Sequence, residues 1–138
     1  AELGAEALSA TIPTLAEGTA SRTPQDGSQA TYAPMLSREL SPIDWTRTAA
    51  QIHDQVRGLL PWPVASTDLF GGDKVKIFTT IETEDKTGKE PGTILRADKT
   101  GIDVACGGGT VLRITELQAP GSRRMAAADY LRGHPITV

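Results

Sequence analysis

Two adjacent arginines, Arg123 and Arg124, are the side chains whose type and spacing point most directly to recognition chemistry. They follow Gly121-Ser122 and precede a predicted helix, so both guanidinium groups would stand on one loop. A planar guanidinium fork matches phosphate geometry, which makes the pair a candidate phosphate contact; an ordinary solvated charge pair is the alternative. Arg132, Arg113, Lys74 and Lys76 would extend the patch if the fold brings them together. Trp45 and Trp62 flank the strongest predicted helix and serve either to brace it or to stack on a nucleotide base.

Other chemistry-bearing residues read as structural. Gly107-Gly108-Gly109-Thr110 lacks the Gly-Lys-Ser/Thr ending of a phosphate loop and leads into a strand, so it reads as a hairpin turn. The single Cys106 excludes an internal disulfide and lies beside that turn with no visible base, so it reads as a packing residue. His53 falls off the apolar stripe of its helix and reads as half-buried or solvent-facing; His134 takes no role. Glu82 and Glu84 have the spacing that puts two carboxylates on one strand face, but the surrounding Glu-Thr-Glu-Asp-Lys-Thr-Gly-Lys-Glu run reads as a solvated loop. No metal-ligand spacing is present.

The elements that must position these groups follow from periodicity. Leu3, Ala7, Leu8, Ile12 and Leu15 recur at helical spacing over residues 1–17, with Pro13 expected to interrupt the helix. Such an apolar stripe needs a covering neighbour. Residues 18–44 carry turn chemistry and few large apolar side chains and read as an inter-domain linker. Residues 45–60 predict a helix capped by Thr46, with Ala49, Ile52, Val56 and Leu59 on one face and Pro61 and Pro63 beyond its end. The period then falls to two. Strands are predicted over residues 64–70, 74–83, 93–97, 102–106 and 111–117, and a closing helix over residues 125–132. The fold class is therefore mainly β: a small OB-like antiparallel barrel of five or six strands with flanking helices, over residues 45–138. A half-open sandwich would give the same pattern.

Composition bounds the function. The 138 residues carry a net charge of −3, which argues against strong non-specific nucleic-acid binding by the whole surface. No stretch reaches the roughly 20 apolar residues of a membrane span. No basic, apolar leader opens the chain, so a reducing cytoplasm is the expected compartment. The sequence does not begin with Met and is expected to be a fragment.

Several words, taken in order, resemble the C-terminal, tRNA-binding domain of the methionyl-tRNA formyltransferases with its linker. They are Thr23-Pro24-Gln25-Asp26, Ala30-Thr31-Tyr32-Ala33-Pro34, Leu36-Ser37-Arg38-Glu39 and Ile43-Asp44-Trp45, then Pro61-Trp62-Pro63, Pro91-Gly92-Thr93-Ile94 and Val104-Ala105-Cys106-Gly107. Arg123-Arg124-Met125 and the run onward to Arg132-Gly133 complete the set, so nearly the whole chain is covered. The resemblance implies an OB-like domain that holds initiator tRNA through basic side chains, with the linker touching it. It also implies a parent enzyme that formylates the methionine of initiator tRNA with 10-formyltetrahydrofolate as co-substrate. Catalytic and folate-binding residues would lie in a preceding domain, of which residues 1–17 would be the last helix. The fragment itself would be inactive and hold no cofactor and no metal. Met35 and Pro42 stand where the family usually carries basic residues, leaving Arg38 as the linker's cation. The candidate tRNA-binding set is Arg123, Arg124 and Arg38, which the resemblance implies, with Arg132, Lys74 and Lys76 added on their charge. Two alternatives remain: a structural C-terminal domain of another folate-dependent formyltransferase or hydrolase that does not bind tRNA, and a non-enzymatic β-barrel interaction domain.

Overall fold

In the N-terminal unit, which ends at Pro34, the apolar spacing does form a helix, α1 (Glu2–Ala16). The computed structural model describes residues 2–138. Pro13 does not end α1. The helix continues for a further turn, and Gly18, at φ +71°, closes it in the left-handed region that glycine adopts without steric cost. Leu3, Leu8, Ile12 and Leu15 are all exposed. The residues that follow form no regular helix or strand, apart from one 3₁₀ turn, Gly27–Gln29, capped by the Asp26 carboxylate.

The second unit, Met35–Val138, holds a six-stranded antiparallel sheet and two helices. Its strands are β1 (Ala65–Thr67), β2 (Val75–Lys86), β3 (Ile94–Asp98), β4 (Gly101–Ala105), β5 (Thr110–Gln118) and β6 (Met125–Ala126). They pair in the order β1-β2-β5-β4-β3, with β6 joining the C-terminal end of β5. The mainly-β class expected from the sequence holds, but the sheet does not close into a barrel. Strand β1 is only three residues long, and its outer edge is occupied by residues 41–43. Ser66 N–H donates to Ser41 O at 2.7 Å, and Ile43 N–H donates to Ser66 O at 2.8 Å. With that edge filled, β1 has no face left for β3.

Helix α2 (Ala49–Gly58) lies over the sheet and buries Ala49, Ile52 and Val56, with Leu59 just beyond its end, so the predicted apolar face is right. The predicted start is not. Thr46 is drawn into a turn by Asp44, whose carboxylate accepts from the Thr46 N–H and hydroxyl. The cap is instead Thr48, in a reciprocal box with Gln51. Beneath α2 the core gathers Ile77, Ile102, Leu112, Ile114 and Leu117, all with no exposed surface. Trp45 belongs to this core, its indole N–H donating to Thr67 Oγ1 at 3.1 Å.

Two further expectations are corrected. The Glu82–Lys86 run is not a loop. It continues β2, with Glu82 opposite Leu112 and Lys86 opposite Thr110, because backbone pairing to β5 is indifferent to side-chain polarity on solvated faces. The closing helix α3 (Ala127–Gly133) starts later than predicted, since Met125 and Ala126 pair with Leu117 and Glu116 as β6.

Candidate nucleic-acid interface

Three of the six cations expected from the sequence meet in one place. Arg38, Lys74 and Lys76 line a cleft of 440 Å³ together with Ser41, Trp62, Pro63, Val64 and Ser66. Each has an identifiable structural reason to be there. Arg38 opens a 3₁₀ turn, Arg38–Leu40, held to α2 by Gln55, whose amide donates to Leu40 O at 2.8 Å and to Pro42 O at 3.1 Å. Lys76 alternates along β2 with the fully buried Val75 and Ile77, so strand geometry turns it outward, and Lys74 precedes the strand on the same side. Trp62 sits between two prolines just after α2 and is 50% exposed, whereas Trp45 is 8% exposed. Two tryptophans that look alike in the sequence thus divide, one bracing the core and one facing solvent. Val64 holds φ +70°, a region that β-branched residues rarely enter.

Ser66 is the cleft residue that sequence reasoning does not reach. It is 3% exposed, its backbone is committed to residues 41–43, and its Oγ is buried without a hydrogen-bond partner. Nothing in the local sequence marks it, because a serine on a short strand is usually satisfied nearby.

The other three expected cations lie elsewhere. Arg124 stacks over the Phe78 ring at 4.7 Å and pairs with Glu116, which also accepts from the Thr79 hydroxyl. The Thr79 hydroxyl first, and Arg124 second, hold the Glu116 carboxyl below its ordinary range. Phe78 lies at a bulge of β2, between Ile77 opposite Leu117 and Thr79 opposite Glu116, and is half-buried beneath Arg124. Arg123 is exposed beside it and makes no ion pair among the described residues. Arg132 pairs with Asp129 at 2.8 Å on α3 and lines a separate hollow with Asp98 and Lys99. Arg113 is engaged by the buried Asp103 at 2.6 Å, which Arg96 also contacts. Burial pushes the Asp103 carboxyl up while Arg96 pulls it down. By contrast Arg38, Lys74 and Lys76 make no ion pair among the described residues, and no carboxylate lines their cleft.

The residues read as structural behave so. Gly107 donates its N–H to both Trp45 O and Arg47 O, at 3.0 and 2.8 Å, so that amide is already committed within the protein. Cys106 is buried, and burial pushes its thiol up to about 11. His53 Nδ1 is 2.9 Å from Thr80 Oγ1, and His134 stacks on Tyr130. Among the described residues no helix is long and apolar enough to cross a membrane, and no group of three His, Cys, Asp or Glu could hold a metal ion.

Comparison with known proteins places this geometry in a family. Residues 35–135 match the formyl transferase C-terminal domain. The methionyl-tRNA formyltransferase of Bacillus velezensis is 45% identical over 133 residues, covering 96% of this chain and 42% of that protein. Those of Bacillus subtilis and Acetivibrio thermocellus are 45% and 44% identical, covering 94% and 97% of this chain and 41% and 43% of theirs. The chain therefore spans about two fifths of the length of the curated relatives it matches. Among solved structures, HypX from Aquifex aeolicus in complex with tetrahydrofolic acid shares the fold at a TM-score of 0.58 and 22% identity, over 91% of this chain and 22% of its own. With the family match covering most of its residues, the chain belongs to the formyl transferase C-terminal domain family.

Proposed function

We propose that this chain is the tRNA-binding C-terminal part of a methionyl-tRNA formyltransferase. Its parent enzyme would transfer a formyl group from 10-formyltetrahydrofolate to the methionine on initiator tRNA, in the cytoplasm. Folate binding and catalysis would belong to a preceding domain, against which the exposed stripe Leu8, Ile12 and Leu15 of α1 would pack. Residues 1–17 would then be that domain's closing helix, 18–44 the linker and 45–138 the tRNA-binding domain.

The observation that carries the reading is the meeting of Arg38, Lys74 and Lys76 in one carboxylate-free cleft on a protein of net charge −3. Three unpaired cations facing one opening make a local anion site that the average charge conceals. Arg123, on the loop before β6 and without an ion-pair partner among the described residues, would reach a separate phosphate, while Arg124, already paired with Glu116, contributes less. Arg132 contributes least, since Asp129 already neutralises it.

The test is initiator-tRNA binding by the 138-residue chain, followed by fluorescence anisotropy. Three phosphate contacts give a log–log salt slope of about −2 to −3, an affinity loss of roughly 30-fold between about 50 and about 200 mM salt. A Lys74→Ala/Lys76→Ala double variant should bind more weakly and flatten the slope by about two. Binding with an unchanged slope in that variant, or no binding at low salt by a folded chain, would overturn the reading.

A further inference from the structure

We propose that the Arg38–Lys74–Lys76 cleft is a nucleotide subsite that takes a backbone phosphate together with an adjacent unstacked base, the base lying on Trp62 and the phosphate accepting a hydrogen bond from Ser66 Oγ. This rests on the tRNA-binding reading and adds to it the kind of nucleotide recognised. Phosphates on a regular duplex would satisfy the three cations equally well, but their bases are stacked inward and would leave Trp62 in water. Recognition of unpaired RNA instead combines cations along the backbone with an aromatic ring under a splayed base. Here both parts border one cleft, with Trp62 half exposed at its rim.

Ser66 is the second, independent observation. A buried hydroxyl without a partner is unfavourable, because nothing replaces the water it has lost. Its own backbone groups are taken by Ser41 and Ile43, so only its hydroxyl is left over, on a residue that borders the cleft. Turned about its Cα–Cβ bond toward the cleft, that hydroxyl would donate to a phosphate oxygen held by the flanking cations. Val64, between Trp62 and Ser66, keeps its φ of +70° with its N–H donating to Leu59 O at 3.0 Å. Strained backbone of this kind concentrates at ligand sites, where surrounding structure holds it.

The experiment titrates the chain with a short single-stranded oligoribonucleotide, a blunt RNA duplex of equal charge, and initiator tRNA, reading anisotropy and tryptophan emission. The single strand should bind more tightly than the duplex and quench the exposed tryptophan. Trp62→Ala should lose roughly tenfold in single-strand affinity, the range seen for stacking platforms. Ser66→Ala should lose roughly tenfold to a hundredfold, as for one hydrogen bond to a charged group. Because Ser66→Ala removes an unsatisfied buried group, its unfolding midpoint should stay the same or rise, which separates lost binding from lost folding. Duplex binding equal to single-strand binding, with both variants unchanged, overturns the subsite. If the lysine double variant loses tRNA while Trp62→Ala and Ser66→Ala retain it, the subsite falls and the tRNA reading stands. If the folded chain binds none of the three RNAs, both fall.

Discussion

Replacing Gly107 by alanine should be among the most damaging single-methyl additions in this protein. A Cβ at that position would lie 1.7 Å from Thr46 O and 2.6 Å from Thr46 C, both backbone atoms. Ordinary contact needs more than 3 Å, so the 45–48 segment would have to retreat. That segment cannot retreat freely. The Gly107 N–H bonds Trp45 O and Arg47 O, Trp45 reaches Thr67 from inside the core, and the Ala49 N–H donates to Thr110 Oγ1 at 2.8 Å. Two or three hydrogen bonds at about 1 kcal/mol each, with some loosening of Trp45 packing, give a cost of about 3–5 kcal/mol. A small domain is stable by only about 5–15 kcal/mol, so the loss would be plain in a urea titration followed by tryptophan emission. Gly108→Ala supplies the control. Its φ is +66°, but its nearest contact would be Thr48 Cγ2 at 3.6 Å, so only the left-handed penalty of about 1–2 kcal/mol applies. Equal losses for the two variants would refute the close-approach explanation.

Three shorter predictions follow from the surrounding structure. Thr48→Ala opens the capping box of α2 and should cost about 1 kcal/mol, whereas Thr46→Ala, in the turn before it, should cost less; the reverse order would restore Thr46 as the cap. Glu116 has its folded pKa depressed by Thr79 and Arg124, so its contribution is complete above the unfolded value of about 4.3 and disappears as pH falls through the lower folded value. Glu116→Gln should therefore be less stable than the parent at neutral pH and converge with it in acid, and a pH-independent difference would sink that account. Cys106, with its thiol pushed up to about 11 and its side chain buried, should react with iodoacetamide at pH 8 at least about a hundredfold more slowly in the native chain than in denaturant; comparable rates would show an accessible thiol.

Some of this was legible in the sequence and some was not, for identifiable reasons. The buried face of α2 was legible because Ala49, Ile52, Val56 and Leu59 repeat at helical spacing, and one neighbour serves them all. Its start was ambiguous because Thr46 and Thr48 are both capping residues, and only the Asp44 turn and the Gln51 partner choose between them. The extension of β2 through Glu82–Lys86 was hidden by its charge, since its pairing partner on β5 lies some thirty residues away in sequence. Closure of the sheet was equally out of reach, because it depends on residues 41–43 filling the β1 edge. For the site, residue type found Lys74 and Lys76 but could not tell Trp62 from Trp45, nor show that Ser66 would be left without a partner. The Arg132–Asp129 pair was readable at three-residue spacing, whereas Arg124 meets Glu116 only because β6 folds back on β5.

Whether a cation binds a ligand here depends on what already neutralises it, more than on how many cations the chain has. Arg57, Arg96, Arg113, Arg124 and Arg132 all have carboxylate partners, while Arg38, Lys74 and Lys76 have none among the described residues. A paired arginine brings little net field to a phosphate, and its partner's charge must be screened or displaced on binding. Arg132→Ala changes the local charge by one unit, as Lys76→Ala does, but at an exposed, salt-screened position beside a separate hollow, so it should change tRNA affinity by less than about twofold to threefold. Lys76→Ala removes a whole unpaired charge from a carboxylate-free cleft and should reduce the salt slope by about one. The two single variants, titrated against the same tRNA at two salt concentrations, separate these cases. Equal losses of affinity and slope would mean that net charge alone governs binding, and that the cleft has no special part in it.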